Sequence, residues 1–344
     1  MKNPFWNGRQ ARLRAFWRLL IQGILFTLGL VAVSVVVGIL GALWLVLRLG
    51  DLSQFAGDPA RLGATLAAHP AVRALSALGV LAVALASVWL AGRFLDRRPF
   101  AGFGFHLSRG WWRDLGFGLA LGAALMAAIF LIEWGLGWVT ITTTLQAAGG
   151  SPLLPALALA LLSFLSVGIY EELLSRGYAL RNLAEGLNSR PLGPRGAVVA
   201  AWLISSLGFG LLHIANPNAS LTSTAALMLA GLFLGLGYVL TGELAIPIGL
   251  HITWNFFQGN VFGFPVCGGR AGPTLIAISQ AGPDPWTGGA FGPEAGLLGI
   301  AAILVGSGLI VGWVRWRCGR VGLTEGLAEY TREVPEEPTG DGTR

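Results

Sequence analysis

Long runs of apolar residues dominate this chain and are separated by short polar or arginine-rich stretches. A helix needs roughly 20 apolar residues to cross the hydrocarbon core, and backbone polar groups in lipid must pair within their own segment. The pattern therefore predicts an all-α fold, a polytopic membrane helix bundle with about eight transmembrane helices. The predicted spans are about 19–47, 71–92, 115–139, 153–176, 197–214, 222–241, 244–262 and 295–314.

The composition supports the same class of protein. Hydrophobic residues make up 54% of the 344 residues and charged residues only 12%, against roughly 25% charged residues in an average soluble domain. The chain has two cysteines, Cys267 and Cys318, and no paired-cysteine motif. Soluble globular folds, structural zinc modules and dithiol redox motifs are therefore excluded.

Arginine residues follow alternate apolar runs, which predicts the orientation of the helices. They cluster in the N-terminal tail and in 93–114, 176–195 and 315–320, whereas 140–152 and 215–221 carry no charge. Because positive residues favour the cytoplasmic side, we expect both termini in the cytoplasm. The arginine-rich, lysine-poor usage favours a prokaryotic plasma membrane. The net charge of +6 thus orients helices and does not indicate a nucleic-acid partner.

The few ionisable residues inside the apolar runs are candidates for function, because each costs at least ~2.5–3.5 kcal/mol to insert. Glu172 and Arg176 are four residues apart and share a helix face, which predicts an ion pair. Glu171 points about 100° away and is left to face something else. One carboxylate would then be structural and the other reactive; the alternative is a double ion pair that anchors the helix.

Two further polar motifs lie on later predicted helices. Phe209 and His213 share one helix face, as do His251 and Asn255. The alternative to a functional role is a hydrogen-bonded core histidine in the first motif and a helix–helix hydrogen bond in the second. Glu133, late in the third run, is expected to reach toward the membrane surface.

Together these motifs supply one free carboxylate, two imidazoles and one amide, a set that suits hydrolysis. Glu171 can take a proton from water, a histidine can orient that water or a metal, and His251 with Asn255 can donate to an oxyanion. The same groups can ligate Zn²⁺. The HExxH and GxSxG motifs are absent, which argues against the common zincin and serine-hydrolase arrangements.

The order EExxxR at 171–176, FxxxH at 209–213 and HxxxN at 251–255 resembles the CPBP family. This family groups type II CAAX prenyl proteases, bacteriocin-processing proteins and proteins similar to lysostaphin resistance protein A. The resemblance implies catalytic roles for Glu171, His213, His251 and Asn255. It implies that Glu172, Arg176 and Phe209 support the site.

The resemblance leaves the role of a metal open, because the family has been described both as zinc-dependent and as metal-free. We favour no cofactor, since Asn255 is a poor zinc ligand and a good hydrogen-bond donor. The alternative is zinc held by Glu171, His213 and His251.

The expected function is an intramembrane endopeptidase that hydrolyses a peptide bond of a membrane-associated protein or peptide by glutamate- and histidine-activated water. The alternative is a non-catalytic membrane scaffold or bacteriocin-immunity-type protein that retains the fold. A small proton-coupled transporter is a third hypothesis, although transport would favour inverted repeats and none is evident. The expected partners are the substrate and the lipid bilayer.

The predicted organisation has four parts. Residues 1–150 hold helices one to three and a cytoplasmic connection, and 151–262 form the catalytic core with helices four to seven. Residues 263–320 hold a Gly/Pro-rich extracytoplasmic loop and helix eight, and 321–344 form a disordered cytoplasmic tail. The loop at 263–293 is either an ordered cap or a mobile lid.

Small-residue pairs predict close helix packing at Gly118/Gly122, Gly231/Gly235 and Gly308/Gly312.

One geometric requirement follows from these assignments. The four catalytic candidates must line one cavity, yet the predicted topology places His213 at the far end of span five. Glu171 lies nearer the cytoplasmic side. The site is consistent only if span five begins below the bilayer plane or if the turn at 216–218 re-enters the membrane.

Overall fold

The computed structural model describes residues 3–8, 10–50, 53–147, 152–270 and 272–330. Within these ranges, short 3₁₀ and π-helical turns connect eleven helices and four strands. The helices are α1 (Ala15–Leu49), α2 (Pro59–Ala68), α3 (Pro70–Ala91), α4 (Arg109–Gly135), α5 (Leu153–Glu172), α6 (Arg181–Leu187), α7 (Gly193–Leu211), α8 (Leu221–Thr241), α9 (Ala245–Phe256), α10 (Asp284–Thr287) and α11 (Leu297–Cys318). The strands are β1 (Trp6–Asn7), β2 (Arg12–Leu13), β3 (Val139–Gln146) and β4 (Thr274–Gln280).

Seven helical segments in the described residues are long and apolar enough to cross a membrane. The protein is an integral, multi-pass membrane protein, and the predicted all-α bundle is confirmed. The difference from eight spans lies at 244–262. There, α9 has only 12 residues and continues as a π-helical turn over Phe257–Val261.

Helix α9 lies in the centre of the bundle and packs against α4, α5 and α8. Its contact with α4 is close at the backbone: a Cβ on Gly118 would lie 2.4 Å from the Ile246 carbonyl oxygen. A Cβ on Gly249 would lie 2.5 Å from the Leu115 carbonyl oxygen. Glycine is therefore required on both sides of this crossing.

The prediction of close packing is wrong for Gly308 and Gly312 within the described structure. A Cβ at either position would meet no atom within 4 Å, because this face of α11 turns away from the bundle.

The two ends of the bundle differ in character. We call one the Arg-rich end, formed by 10–18, 93–108, 181–195 and 319–330. The other is the loop end, formed by 53–69, 136–147, 212–220, 263–270 and 272–296. Both termini of the described chain lie at the Arg-rich end, where β1 pairs with β2.

The segment after α11 folds back across the Arg-rich end. It forms a 3₁₀ turn over Glu325–Ala328, in which Leu327 and Ala328 are buried, and the guanidinium of Arg12 lies 3.5 Å from the centre of the Tyr330 ring. The prediction of a disordered tail is therefore wrong for 321–330, because its few apolar side chains find a groove on α6 and α7. The rest of the predicted tail lies outside the described residues.

The loop end contains an antiparallel sheet that the apolar pattern did not predict. Strands β3 and β4 pair from Val139 with Gln280 to Gln146 with Thr274. Side chains from the 212–220 turn fasten the loop that follows α9: Asn216 Nδ2 donates to the Cys267 carbonyl at 3.1 Å. The described part of this loop is thus held against the turn between α7 and α8.

Glu133 does not reach toward the membrane surface as expected. Its side chain is fully buried and accepts a hydrogen bond of 2.8 Å from Gln280 Nε2. Gln280 belongs to strand β4, so the sheet at the loop end supplies the partner of this buried carboxyl.

Candidate active site

The two adjacent glutamates at the end of α5 have different surroundings. Arg176 Nη1 donates to Glu172 Oε1 at 2.9 Å, and both side chains are buried. The same guanidinium donates to the Gly231 carbonyl at 2.9 Å and lies over the Phe209 ring, 4.5 Å from its centre. Glu171 takes no part in this ion pair. The predicted pairing of Glu172 with Arg176 is confirmed, and the reactive role of Glu171 stays a prediction.

A change in helix type separates these residues. The regular helix ends at Glu172 and continues as a π-helical stretch over Leu173–Leu180. Such wide turns are frequent at functional sites, because they displace side chains from the regular helical positions. Here the wide turn begins directly after the glutamate pair and contains Arg176.

The imidazole of His251 lies between the side chains of the two glutamates. Its Nδ1 donates to Glu172 Oε1 at 2.9 Å, because a carboxylate can only accept. Its Nε2 lies 3.9 Å from Glu171 Oε2, which is too long for a direct hydrogen bond. Glu172 therefore fixes the orientation of the imidazole and directs Nε2 toward Glu171.

His213 has a similar arrangement on the other side of the site. Its Nδ1 donates to the Phe209 carbonyl at 2.7 Å, so Nε2 is the ring nitrogen left to accept from a water molecule. The Phe209 ring packs against both imidazoles, with centroids 4.8 Å from His213 and 6.2 Å from His251. Phe209 thus spaces the two histidines.

Two features of the chain around α7 bring His213 to the cavity that Glu171 lines. Helix α7 begins in the Arg-rich end, where it packs against α6 and the 325–328 turn. It ends at Leu211, so that His213 and Asn216 lie in an irregular turn that lines the same cavity as Glu171. Irregular backbone inside a membrane protein is tolerated where it lines such a cavity.

Glu171, His213, His251 and Asn255 line one cavity of about 500 Å³. The Asn255 side chain is buried and has no hydrogen-bond partner among the described residues, so its amide is available to a ligand. Most of the remaining wall is apolar, as in most ligand pockets. These apolar residues are Phe26, Phe164, Val167, Leu174, Phe209, Leu212, Leu227, Ala230, Phe233, Leu234, Leu250, Trp254, Val266 and Ile303.

Sequence reasoning missed several polar residues in this cavity, of which Glu294 is the most buried. Its Oε1 accepts from the Cys267 backbone N–H at 2.5 Å, and its Oε2 accepts from Gln258 Nε2. Burial raises the pKa of Glu294 to about 7. The feature of the sequence that could have indicated Glu294 is an acidic residue at the end of the Gly/Pro-rich loop, just before α11. Arg73 and Arg270 also reach the cavity.

The zinc alternative requires Glu171, His213 and His251 to hold one ion together. Imidazole nitrogens and a carboxylate are suitable zinc ligands. Each histidine also donates from Nδ1 to a protein oxygen, as metal-binding histidines often do from the ring nitrogen that does not bind the metal. Within the described residues, however, no three His, Cys, Asp or Glu side chains converge closely enough to hold a metal ion. The arrangement does not fit a three-ligand site, and we derive no step through a metal. Metal independence stays a prediction.

Comparison with known proteins bears directly on this part of the chain. The sequence model of the type II CAAX prenyl endopeptidase Rce1-like family matches residues 153–257. This segment is thus similar to the Rce1-like endopeptidases. The resemblance predicted from the three motifs is confirmed, and all seven predicted site residues lie inside the match.

A curated relative extends the similarity beyond the Rce1-like segment. Over 210 residues the chain is 27% identical to the uncharacterized protein YyaK of Bacillus subtilis (strain 168). The aligned part covers 58% of this chain and 64% of the length of YyaK. No solved structure matches the chain.

Proposed function

We propose that the protein is an intramembrane endopeptidase that hydrolyses a peptide bond of a membrane-associated protein or peptide. The observation that carries this proposal is the convergence of Glu171, His213, His251 and Asn255 on one largely apolar cavity. The Rce1-like match supports it at the level of the family. We further propose that the Arg-rich end faces the cytoplasm of a prokaryotic cell, since arginine concentrates there.

In the proposed mechanism Glu171 is the general base. A water molecule between Glu171 and His213 Nε2 gives a proton to the carboxylate while its oxygen attacks the substrate carbonyl carbon. His213 Nε2 accepts a hydrogen bond from the second O–H of this water and so orients it, and that hydrogen stays on the attacking oxygen. Protonated Glu171 then delivers the proton to the leaving nitrogen, which completes hydrolysis.

Asn255 and His251 stabilise the oxyanion of the tetrahedral intermediate. The Asn255 amide donates from Nδ2, and His251 donates from Nε2 when both of its ring nitrogens carry protons. Glu172 accepts from Nδ1 in that state and balances the positive charge of the imidazolium. Arg176 holds Glu172 in place for this purpose.

The test compares the membrane peptides of cells that express the wild-type chain or Glu171→Gln. We expect cleavage products that depend on the wild type and disappear in the variant, with a loss of turnover of about 10²–10⁴-fold for a general base. The full-length substrates should accumulate in the variant.

The matched control is Glu329→Gln, which removes a carboxylate from an exposed position at the Arg-rich end. It should leave the peptide pattern unchanged. Identical patterns in wild type and Glu171→Gln, at equal protein abundance, would favour the non-catalytic scaffold.

A further inference from the structure

A second cavity lies beside the active-site cavity at the loop end, and we call it the vestibule. Its volume is about 410 Å³. It is lined by the start of α3, both strands of the β3–β4 sheet and the segment that follows α9. Its polar lining consists of Arg73, Arg270, Thr142, Gln146 and Thr274.

The vestibule and the active-site cavity meet at two arginines. Arg73 and Arg270 line both cavities. Arg73 Nη1 also lies 3.5 Å from the Arg270 carbonyl oxygen, so the start of α3 contacts the loop that caps the site. A ligand that occupies both cavities passes these two guanidinium groups.

The sign of the charge changes along this path. The active-site cavity contains the carboxyl groups of Glu171 and Glu294. Among the described residues that line the vestibule, none is acidic, and two are arginines. A negatively charged group on a ligand is therefore repelled near Glu171 and attracted at the vestibule.

The chemistry of the lining narrows the ligand further. Guanidinium groups bind carboxylates through paired hydrogen bonds, and the threonine and glutamine side chains of the sheet offer additional polar contacts. The adjoining cavity is mainly apolar. A ligand that suits both is a peptide with an apolar segment followed or preceded by a negatively charged group.

We propose that Arg73 and Arg270 select substrates that carry a carboxylate beside the apolar segment at the scissile bond. The carboxylate is either an acidic side chain or a free C-terminus. This inference rests on the proposed endopeptidase function and names the class of substrate that it acts on. The two arginines are specificity-determining residues and take no part in the chemistry of water activation.

The test measures binding, so that it does not depend on cleavage. The full chain with Glu171→Gln is purified in detergent and titrated into fluorophore-labelled apolar peptides that end in either Glu or Gln residues. Each peptide is made with a free or an amidated C-terminus. We expect the most acidic peptide to bind about tenfold more tightly than the neutral one, as one or two charge-assisted contacts provide. Comparison of the four peptides identifies which carboxylate is bound.

Variants then assign the preference to the vestibule. Arg73→Gln and Arg270→Gln should each reduce the preference for acidic peptides, and together they should abolish it. Arg270→Lys should retain part of it, because the charge remains. Arg61→Gln is the matched control, since Arg61 lies at the same end on α2 and lines neither cavity.

Equal affinity for all four peptides would overturn the proposal. So would binding of phosphatidylglycerol in mixed micelles that depends on both arginines while the peptides show no charge preference, because the vestibule would then hold a lipid headgroup. Glu171-dependent cleavage without a charge preference would reject this inference alone. A charge preference without cleavage by the wild type would reject the proposed function alone.

Discussion

Two groups of buried polar residues lie at different heights in this bundle and contrast in how their charges are matched. At the Arg-rich end, Glu185 Oε2 lies 2.7 Å from Arg12 Nη2 and 3.1 Å from Arg18 Nη2, and its other oxygen contacts Arg98. Asp96 adds a second carboxylate that contacts Arg18. Each carboxylate here has at least two guanidinium neighbours.

The active site has the opposite arrangement. Glu171 has no guanidinium partner among the described residues, and His251 Nε2 lies 3.9 Å from its Oε2. The Asn255 amide has no partner within the same part of the chain. Both residues face a cavity. Buried charges that are matched by protein groups hold helices together, whereas buried polar groups that are left for a ligand indicate chemistry.

The largest effect is expected at Glu185. Glu185→Gln would leave Arg12, Arg18 and Arg98 with only Asp96 as a buried counter-charge, and removal of one partner of a buried ion pair costs about 3–5 kcal/mol. We expect loss of most folded protein, measured by size-exclusion chromatography in detergent. Glu325→Gln, at an exposed position of the same end, should leave the yield unchanged. Normal yield from both variants would show that the charge cluster is not structural.

Glu172 lies in the active site, but a guanidinium matches its charge, as at the Arg-rich end. Glu172→Gln should destabilise the chain by about 3 kcal/mol, because Arg176 then stays buried without a counter-charge. It should also release the imidazole of His251, which loses its acceptor at Nδ1.

We expect a lower unfolding temperature for Glu172→Gln than for Glu171→Gln, measured by tryptophan fluorescence in detergent. The Glu171→Gln variant is the control, since its carboxylate holds no arginine. Equal unfolding temperatures would contradict the division between the two glutamates.

Asn255 tests the active-site side of the comparison. Asn255→Ala should lower turnover about 100-fold, as removal of one oxyanion donor does in other hydrolases. Its unfolding temperature should change little, because no described protein group depends on the amide.

Turnover of Asn255→Ala is measured on a substrate found by the membrane-peptide comparison, with Ser175→Ala as the control on the cavity wall. A large loss of stability with unchanged turnover of the remaining folded protein would identify Asn255 as structural.

The smallest effect is expected at Glu294, whose buried carboxyl is hydrogen-bonded to neutral donors. Its pKa is raised from 4.5 to about 7 in the folded chain. Between these values the folded chain holds a proton that the unfolded chain has lost, so stability falls as the pH rises toward 7. The slope contributed by one group is at most about 1.4 kcal/mol per pH unit.

Unfolding temperatures of wild type and Glu294→Gln, measured from pH about 5 to about 7, isolate this contribution. The variant should show a flatter dependence. Parallel curves would mean that Glu294 ionises like a solvated carboxyl and lies outside the buried cavity wall.

The sequence alone determined the class of the fold and the motifs of the site. Backbone polar groups in lipid must pair within their own segment, so long apolar runs form helices. Seven of the eight predicted spans are present as long helices. The i, i+4 spacing also determined the ion pair of Glu172 and Arg176, because that geometry is local to one helix. The order of the three motifs indicated the Rce1-like segment.

Tertiary structure alone decided which polar groups from distant segments meet. The contact of Glu172 with His251 spans 79 residues, and the approach of Glu294 to Cys267 depends on how the loop folds over the cavity. The cluster around Glu185 joins residues from three separate segments. Periodicity reports which face of a helix is polar, but contacts between distant segments depend on packing that no local pattern contains. For this reason the sequence indicated Glu171 and Asn255 as candidates, while the cap, the vestibule and the buried ion cluster emerged only from the fold.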